Sequence, residues 1–151
     1  MKKTKFYQLL AVISLAFFTT SCILAIDGVV GKGRIVSENR EVQSFTSVEL
    51  LASAKVEILK GSELKVILSD YENTLEYWDI EVLNNKLTIK TRPFTSLINS
   101  RAKVVIEMPE ALYSATVAGS GDVEIKDAFD ELNKISITGS GNFISDFKPI
   151  K

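Results

Sequence analysis

VAGSGDVEI, residues 117–125, and ITGSGNFIS, residues 137–145, spell one frame twice, with the second copy 20 residues after the first. Leu112 aligns with Leu132, Val117 with Ile137, Gly119 with Gly139, Gly121 with Gly141, and Val123 with Phe143. An earlier segment, ASAKVEI at residues 52–58, fits the same frame with alanine in place of each glycine, and it sets Phe45 opposite Leu112. A 20-residue unit of alternating apolar residues around one tight corner predicts a right-handed β-solenoid, an all-β fold whose coils stack and share a core. Gly119, Ser120, Gly121, Gly139, Ser140 and Gly141 are then structural turns. Glycine serves such a corner through positive φ or through close approach of the neighbouring coil, and serine through a hydroxyl offered to a free backbone group. Ala52 and Ala54 tolerate close approach but not positive φ, so stacking tightness is the better explanation.

Working outward, period two dominates from Arg34 onward. Val56-Glu57-Ile58, Leu64-Lys65-Val66, Ile80-Glu81-Val82, Leu87-Thr88-Ile89, Val104 with Ile106 and Met108, and Ile135-Ser136-Ile137 each place apolar side chains on one face. Asn84-Asn85 suits a two-residue hairpin turn, because asparagine tolerates positive φ. Tyr71, Leu75 and Trp78 lie at helical spacing after Asp70, a candidate N-cap, and predict a short helix near residues 70–78. That stripe reads first as a packed face. Tyr71, Tyr77 and Trp78 are nevertheless the aromatic candidates for contact with a ligand such as a glycan. Residues 92–102 contain Pro93 and Asn99 with little alternation and read as a loop, with Arg101 and Lys103 solvated.

The chain has 151 residues, 46% hydrophobic and 25% charged, which predicts one globular domain. A formal charge of −1 offers no basic stripe for nucleic acid. Histidine is absent, which removes Ser-His-Asp and Cys-His nucleophilic sites, imidazole metal sites and histidine bases. No catalytic residues, cofactor or metal are expected. Asp122, Glu124 and Asp127 cluster after the first Gly-Ser-Gly, but the repeat replaces the first two by Asn142 and Ile144, so a solvated acidic face is the better reading than a calcium site.

Residues 1–21 read as an export signal: Lys2, Lys3 and Lys5, an apolar run from Phe6 to Phe18, then Thr19, Thr20 and Ser21 before Cys22. The arrangement resembles a bacterial lipobox, with Thr19 departing from the usual leucine. The resemblance implies that Cys22, the sole cysteine, is lipidated and becomes the first mature residue. An ordinary secretory signal with a chance cysteine is the alternative. Removal of residues 1–21 takes away three lysines and leaves 15 basic against 19 acidic residues. Residues 22–33, with Gly28, Gly31 and Gly33, read as a weakly ordered tether. Their GVVGKG lacks the spacing of a phosphate loop.

Residues 34–151 form the expected domain. Gly31-Lys-Gly33, Arg34-Ile-Val, Phe45-Thr-Ser-Val, the 52–58 segment, Leu87-Thr-Ile-Lys90, Met108-Pro109 and the paired Gly-Ser-Gly-Asp/Asn units together resemble the head GIN domain family. These are bacterial envelope proteins, often lipoproteins, labelled "putative autotransporter adhesin". The resemblance implies a right-handed β-helix-like stack and brings no catalytic residues. Family members commonly continue with further Gly-Ser-Gly coils. Here Phe147-Lys-Pro-Ile-Lys151 follows soon after the second, which implies a C-terminally shortened member or an open edge blunted by Lys148, Pro149 and Lys151.

The expected function is therefore that of a non-enzymatic, exported cell-envelope lipoprotein, held at the outer membrane through Cys22, with a role in adhesion or envelope structure. Its partners would be the membrane and a glycan or envelope protein. A glycan-binding or glycan-processing β-helix is the alternative, and it requires paired carboxylates in a groove. No residue specifies an oligomeric state.

Overall fold

The computed structural model describes residues 27–109 and 111–145. The signal segment, Cys22, the start of the tether and residues 146–151 lie outside the described residues. In chain order the strands are β1 (Asp27–Val30), β2 (Ile35–Asn39), β3 (Ser47–Leu50), β4 (Lys55–Lys60), β5 (Lys65–Tyr71), β6 (Trp78–Leu83), β7 (Lys86–Thr91), β8 (Thr95–Ile98), β9 (Lys103–Met108), β10 (Ser114–Val117), β11 (Asp122–Ile125), β12 (Lys134–Ile137) and β13 (Phe143–Ser145).

Period two decides which side chains enter the core. In β4, Val56 and Ile58 are fully buried between half-exposed Glu57 and Leu59, and β3, β7, β9 and β10 bury alternate residues in the same way, while β11 buries Glu124 as well as Val123 and Ile125, so Glu124 is not on a solvated acidic face. One sheet runs β12-β10-β3-β7-β6 and the other β13-β11-β4-β9-β5-β2. Parallel register aligns the buried residues in columns. Leu50 pairs with Ile89 on one side and Val117 on the other, and Val56 with Val104 and Val123. Each such side chain contributes about 1.5–3 kcal/mol by leaving water.

The parallel part consists of four layers, each a pair of strands turning one corner: β7 with β9, β3 with β4, β10 with β11, and β12 with β13. The register offset is 67 at both Ser47↔Ser114 and Lys55↔Asp122, and 20 at both Ser114↔Lys134 and Val123↔Phe143, so three corners have equal length. It changes from 39 at Ser47↔Lys86 to 48 at Lys55↔Lys103, so the β7–β9 connection is nine residues longer. That extra chain carries β8.

The structure departs from the pattern expected of the sequence in four further places. The fold is all-β, but the sheets are mixed. β2, β5 and β6 add antiparallel strands, and the β7–β9 layer packs beneath β3 and β4 although it follows them in the chain, so coils do not simply succeed one another. The helix near residues 70–78 is a single 3₁₀ turn, Leu75–Tyr77, because Tyr71 ends β5, Trp78 begins β6 and the Asp70 carboxylate is engaged elsewhere. The loop at 92–102 contains β8, which pairs in parallel with β1, itself part of the expected tether. Lys103 is not simply solvated: its Nζ lies 2.8 Å from Glu57 Oε2.

The Asn84-Asn85 turn does join β6 to β7, with φ of 52° and 61°. Leu75 and Trp78 are buried, as a packed face requires.

Candidate functional site

The corners set the first feature of the site. A β-carbon on Gly119 would lie 2.4 Å from the Ala52 carbonyl oxygen, and one on Gly121 would lie 2.1 Å from that of Ala54. On Gly139 and Gly141 it would lie 2.1 Å from Gly119 O and 1.8 Å from Gly121 O. Among the described glycines only Gly33 has positive φ, so these four are glycine because backbone lies directly beneath them. The Ala118 and Gly119 amides donate to Leu50 O at 2.8 and 3.0 Å, and the Thr138 and Ser140 amides to Val117 O and Gly119 O at 2.9 and 3.1 Å, so the ladder continues round the bend. Ser53, Ser120 and Ser140 fall at one register on successive corners, and all three are exposed.

Ala52 and Ala54 occupy the base of this column. Beneath Ala52 the longer β7–β9 connection opens a cavity of about 340 Å³, lined by Ala52, Ser53, Trp78, Thr91, Thr95, Ser96, Leu97, Asn99 and Ser100. Its polar lining consists of hydroxyls and one carboxamide and carries no charge. Asp70, fully buried, braces the wall: Oδ1 accepts the Tyr71 and Arg101 amides at 2.8 and 2.9 Å, and Oδ2 accepts the Ser100 hydroxyl at 2.7 Å and the Trp78 indole N–H at 3.0 Å. Burial opposes its ionisation, but the Ser100 hydroxyl, the two amides and the indole outweigh that and hold its pKa below the usual carboxylate range.

Of the aromatic candidates, Trp78 lines this cavity with 4% of its surface exposed. Tyr71 stands elsewhere, its ring 2.5 Å from where a Gly31 β-carbon would be, and Tyr77 is half-buried in the 3₁₀ turn outside the lining. The cavity's polar residues were missed in the sequence. Thr91 to Ser100 carry no periodic signal, and Asp70 meets Ser100 across 30 residues.

The outer face of β4, β9 and β11 carries an alternating chain of charges. Lys103 pairs with Glu57. Lys55 reaches both Glu57, at 3.2 Å, and Glu124, at 2.9 Å, and Lys126 pairs with Glu124. Lys103 first and Lys55 second lower the Glu57 pKa against its burial; Lys126 and then Lys55 lower that of Glu124; and Glu124 with Glu57 raises that of Lys55. The shifts of Glu57, Glu124 and Lys55 all favour their charged forms, the opposite of what a carboxylic acid needs to donate a proton near neutrality. Asp122 Oδ1 accepts the Asn142 amide and side-chain N–H at 3.0 and 2.9 Å, while Asp127 accepts the Lys60 amide at 2.8 Å, so the acids after the first Gly-Ser-Gly serve separate contacts. Among the described residues no group of three or more potential ligands could hold a metal ion, and no helix is long and apolar enough to cross a membrane.

Residues 44–149 match the family described as "Putative auto-transporter adhesin, head GIN domain". The chain belongs to the head GIN domain family. Solved structures share the fold. A "putative adhesin" from Bacteroides fragilis matches with a TM-score of 0.68 at 17% identity, over 78% of this chain and 56% of its own. A "putative lipid binding protein" from Parabacteroides distasonis matches at 0.65 and 21%, over 78% and 51%. A "putative adhesin" from Parabacteroides merdae matches at 0.60 and 16%, over 73% and 47%. The chain therefore spans about half the length of these solved structures. No curated protein matches it.

Proposed function

We propose that this head GIN protein is an exported, non-enzymatic cell-envelope component, held at the outer membrane by lipid on Cys22 and serving adhesion or envelope structure through a stacked β-domain. The family supports an exported, adhesin-like role. The signal segment and Cys22 supply the anchor, since several acyl chains on one cysteine hold firmly where one is marginal. The four layers, with equal corners in three, support reading the parallel part of residues 34–151 as a short β-solenoid to which the antiparallel strands are attached.

The observation that carries the non-enzymatic reading is the state of the positioned carboxylates. Glu57 and Glu124 are each bridged by two lysines, Asp70 receives four donors, and the cavity lining is uncharged. Glycoside hydrolysis needs two carboxyls about 5 to 9.5 Å apart facing one groove, with one of them holding a proton. Glu57, Glu124 and Asp70 are held in structural contacts instead.

The test combines two measurements on cells producing the chain. The mature N-terminus should carry acyl chains on Cys22 by mass spectrometry, and cells should lose attachment to surfaces or envelope integrity when the gene is deleted. A hydrolytic activity toward envelope glycans that disappears with Glu57→Gln would replace this reading with an enzymatic one.

A further inference from the structure

The β1–β8 pair exposes large apolar side chains, as does the β12–β13 edge, where Ile135, Ile137 and Ile144 are 43%, 49% and 44% exposed. Val30 and Ile98, register partners, are 51% and 50% exposed, and Ile98 Cδ1 lies 3.1 Å from where a Gly28 β-carbon would be, so one face of the pair carries both side chains. Phe94, just before β8, is 61% exposed and held at φ 61°. A bulky residue at positive φ costs about 1 kcal/mol or more, so Phe94 holds backbone strain at an exposed position. Such strain at an exposed apolar tip is a pointer to use.

Three exposed cations flank these strands in the chain. Lys32 follows β1, and Arg92 and Arg101 bracket β8; all three are exposed, and none forms an ion pair among the described residues. Arg34, by contrast, is neutralised by Glu72 at 3.0 Å. Exposed apolar side chains on strands flanked by such cations match the chemistry of a bilayer surface, where the apolar groups enter the acyl boundary and the cations meet anionic headgroups.

Chain length supplies the second argument. Four residues, 23–26, separate Cys22 from Asp27, where β1 begins. Even fully extended, five residue steps reach only about 18 Å. A lipid on Cys22 therefore keeps β1 and β8 close to the headgroups.

We propose that the β1–β8 face, with Phe94 at its tip, is a membrane-contact surface that seats the domain on anionic lipid and points the β12–β13 edge away from the bilayer. The orientation rests on the lipid anchor at Cys22. The edge strands lie three strand spacings from the β7–β9 layer, roughly 14 Å further up the stack.

Two full-chain variants, Phe94→Cys and Ile144→Cys, each carrying a spin label at the new thiol, test this in vesicles of phosphatidylethanolamine and phosphatidylglycerol. Both positions are exposed, so neither substitution disturbs the core. The label at 94 should be shielded from a water-soluble relaxing agent several-fold more than the label at 144, and Ile98→Ser in the Phe94→Cys background should reduce that shielding. Equal accessibility at 94 and 144 would overturn the proposal, as would shielding at 144 alone. The N-terminal peptide mass, read on the same sample, reports the anchor independently. An acylated chain with position 94 open to water sinks this surface and leaves the anchor standing. An unacylated chain with position 94 shielded does the reverse.

Discussion

Gly119 lies over Ala52 with no room for a methyl group between them: a β-carbon on Gly119 would stand 2.4 Å from the Ala52 carbonyl oxygen and 2.7 Å from its amide nitrogen. Ala52 itself lies over the cavity, where a methyl has space. The same register position thus demands glycine in one layer and accepts alanine in the layer beneath. Gly119→Ala should destabilise the domain by about 3 kcal/mol, the upper end for overpacking, because the obstacle is backbone that cannot rotate away. Ala52→Gly should cost only about 1 kcal/mol, the usual entropic penalty. Urea melts of the two variants should rank them in that order, and equal midpoints would contradict a stacked corner.

Asp70 provides a second contrast. Asparagine at this position keeps one acceptor oxygen and turns an NH₂ toward donors: either the two amides of Tyr71 and Arg101 or the Ser100 hydroxyl and Trp78 indole. Asp70→Asn should therefore cost about 3 kcal/mol. Since Trp78 is the sole tryptophan, its fluorescence should report the loosened wall directly.

What the sequence disclosed and what it hid follow from the range of the interactions. The 20-residue frame was legible because Val117 to Val123 and Ile137 to Phe143 are neighbours both in sequence and in the stack. The pairing of Ser47 with Lys86 was not, since a ladder between distant segments leaves no periodic trace in either strand. β1 and β8 were hidden for a related reason: four residues with one apolar face turned to solvent look like loop. The helix predicted after Asp70 failed because a carboxylate that can cap a helix can equally brace a wall, and only the positions of Ser100 and Arg101 decide between them. The cavity was illegible because it consists of space left by nine extra residues.

The chain of charges from Lys103 through Glu57, Lys55 and Glu124 to Lys126 sets the pH dependence of stability. Glu57 and Glu124 have folded pKa values below their unfolded ones, as does Asp70, so their stabilisation is present above the unfolded carboxylate range, near pH 4, and is lost as pH falls through the folded values. Lys55 has a raised folded pKa, so its contribution is complete below the unfolded lysine value, near pH 10.4, and is lost as pH rises through the folded one. The melting temperature should stay flat between these limits and fall outside both. Glu57→Gln should shrink the acid limb, while added salt should weaken the exposed lysine contacts more than those of Asp70.

The hairpin at Asn84-Asn85 offers a gain of stability. Both residues are left-handed, with φ of 52° and 61°, the geometry of a type I′ turn, in which glycine is favoured at the second position. Asn85→Gly should stabilise the domain by up to about 1 kcal/mol by relieving the side chain of that conformation, whereas Asn84→Ala should cost about 1 kcal/mol. The turn also holds the next layer, because the Thr46 and Ser47 amides donate to Asn85 O at 2.9 and 3.2 Å. Hydrogen exchange at those two amides should therefore slow in Asn85→Gly and quicken in Asn84→Ala. If exchange there stays unchanged while the melting temperature moves, the turn contributes to its own hairpin but does not fix the start of β3 above it.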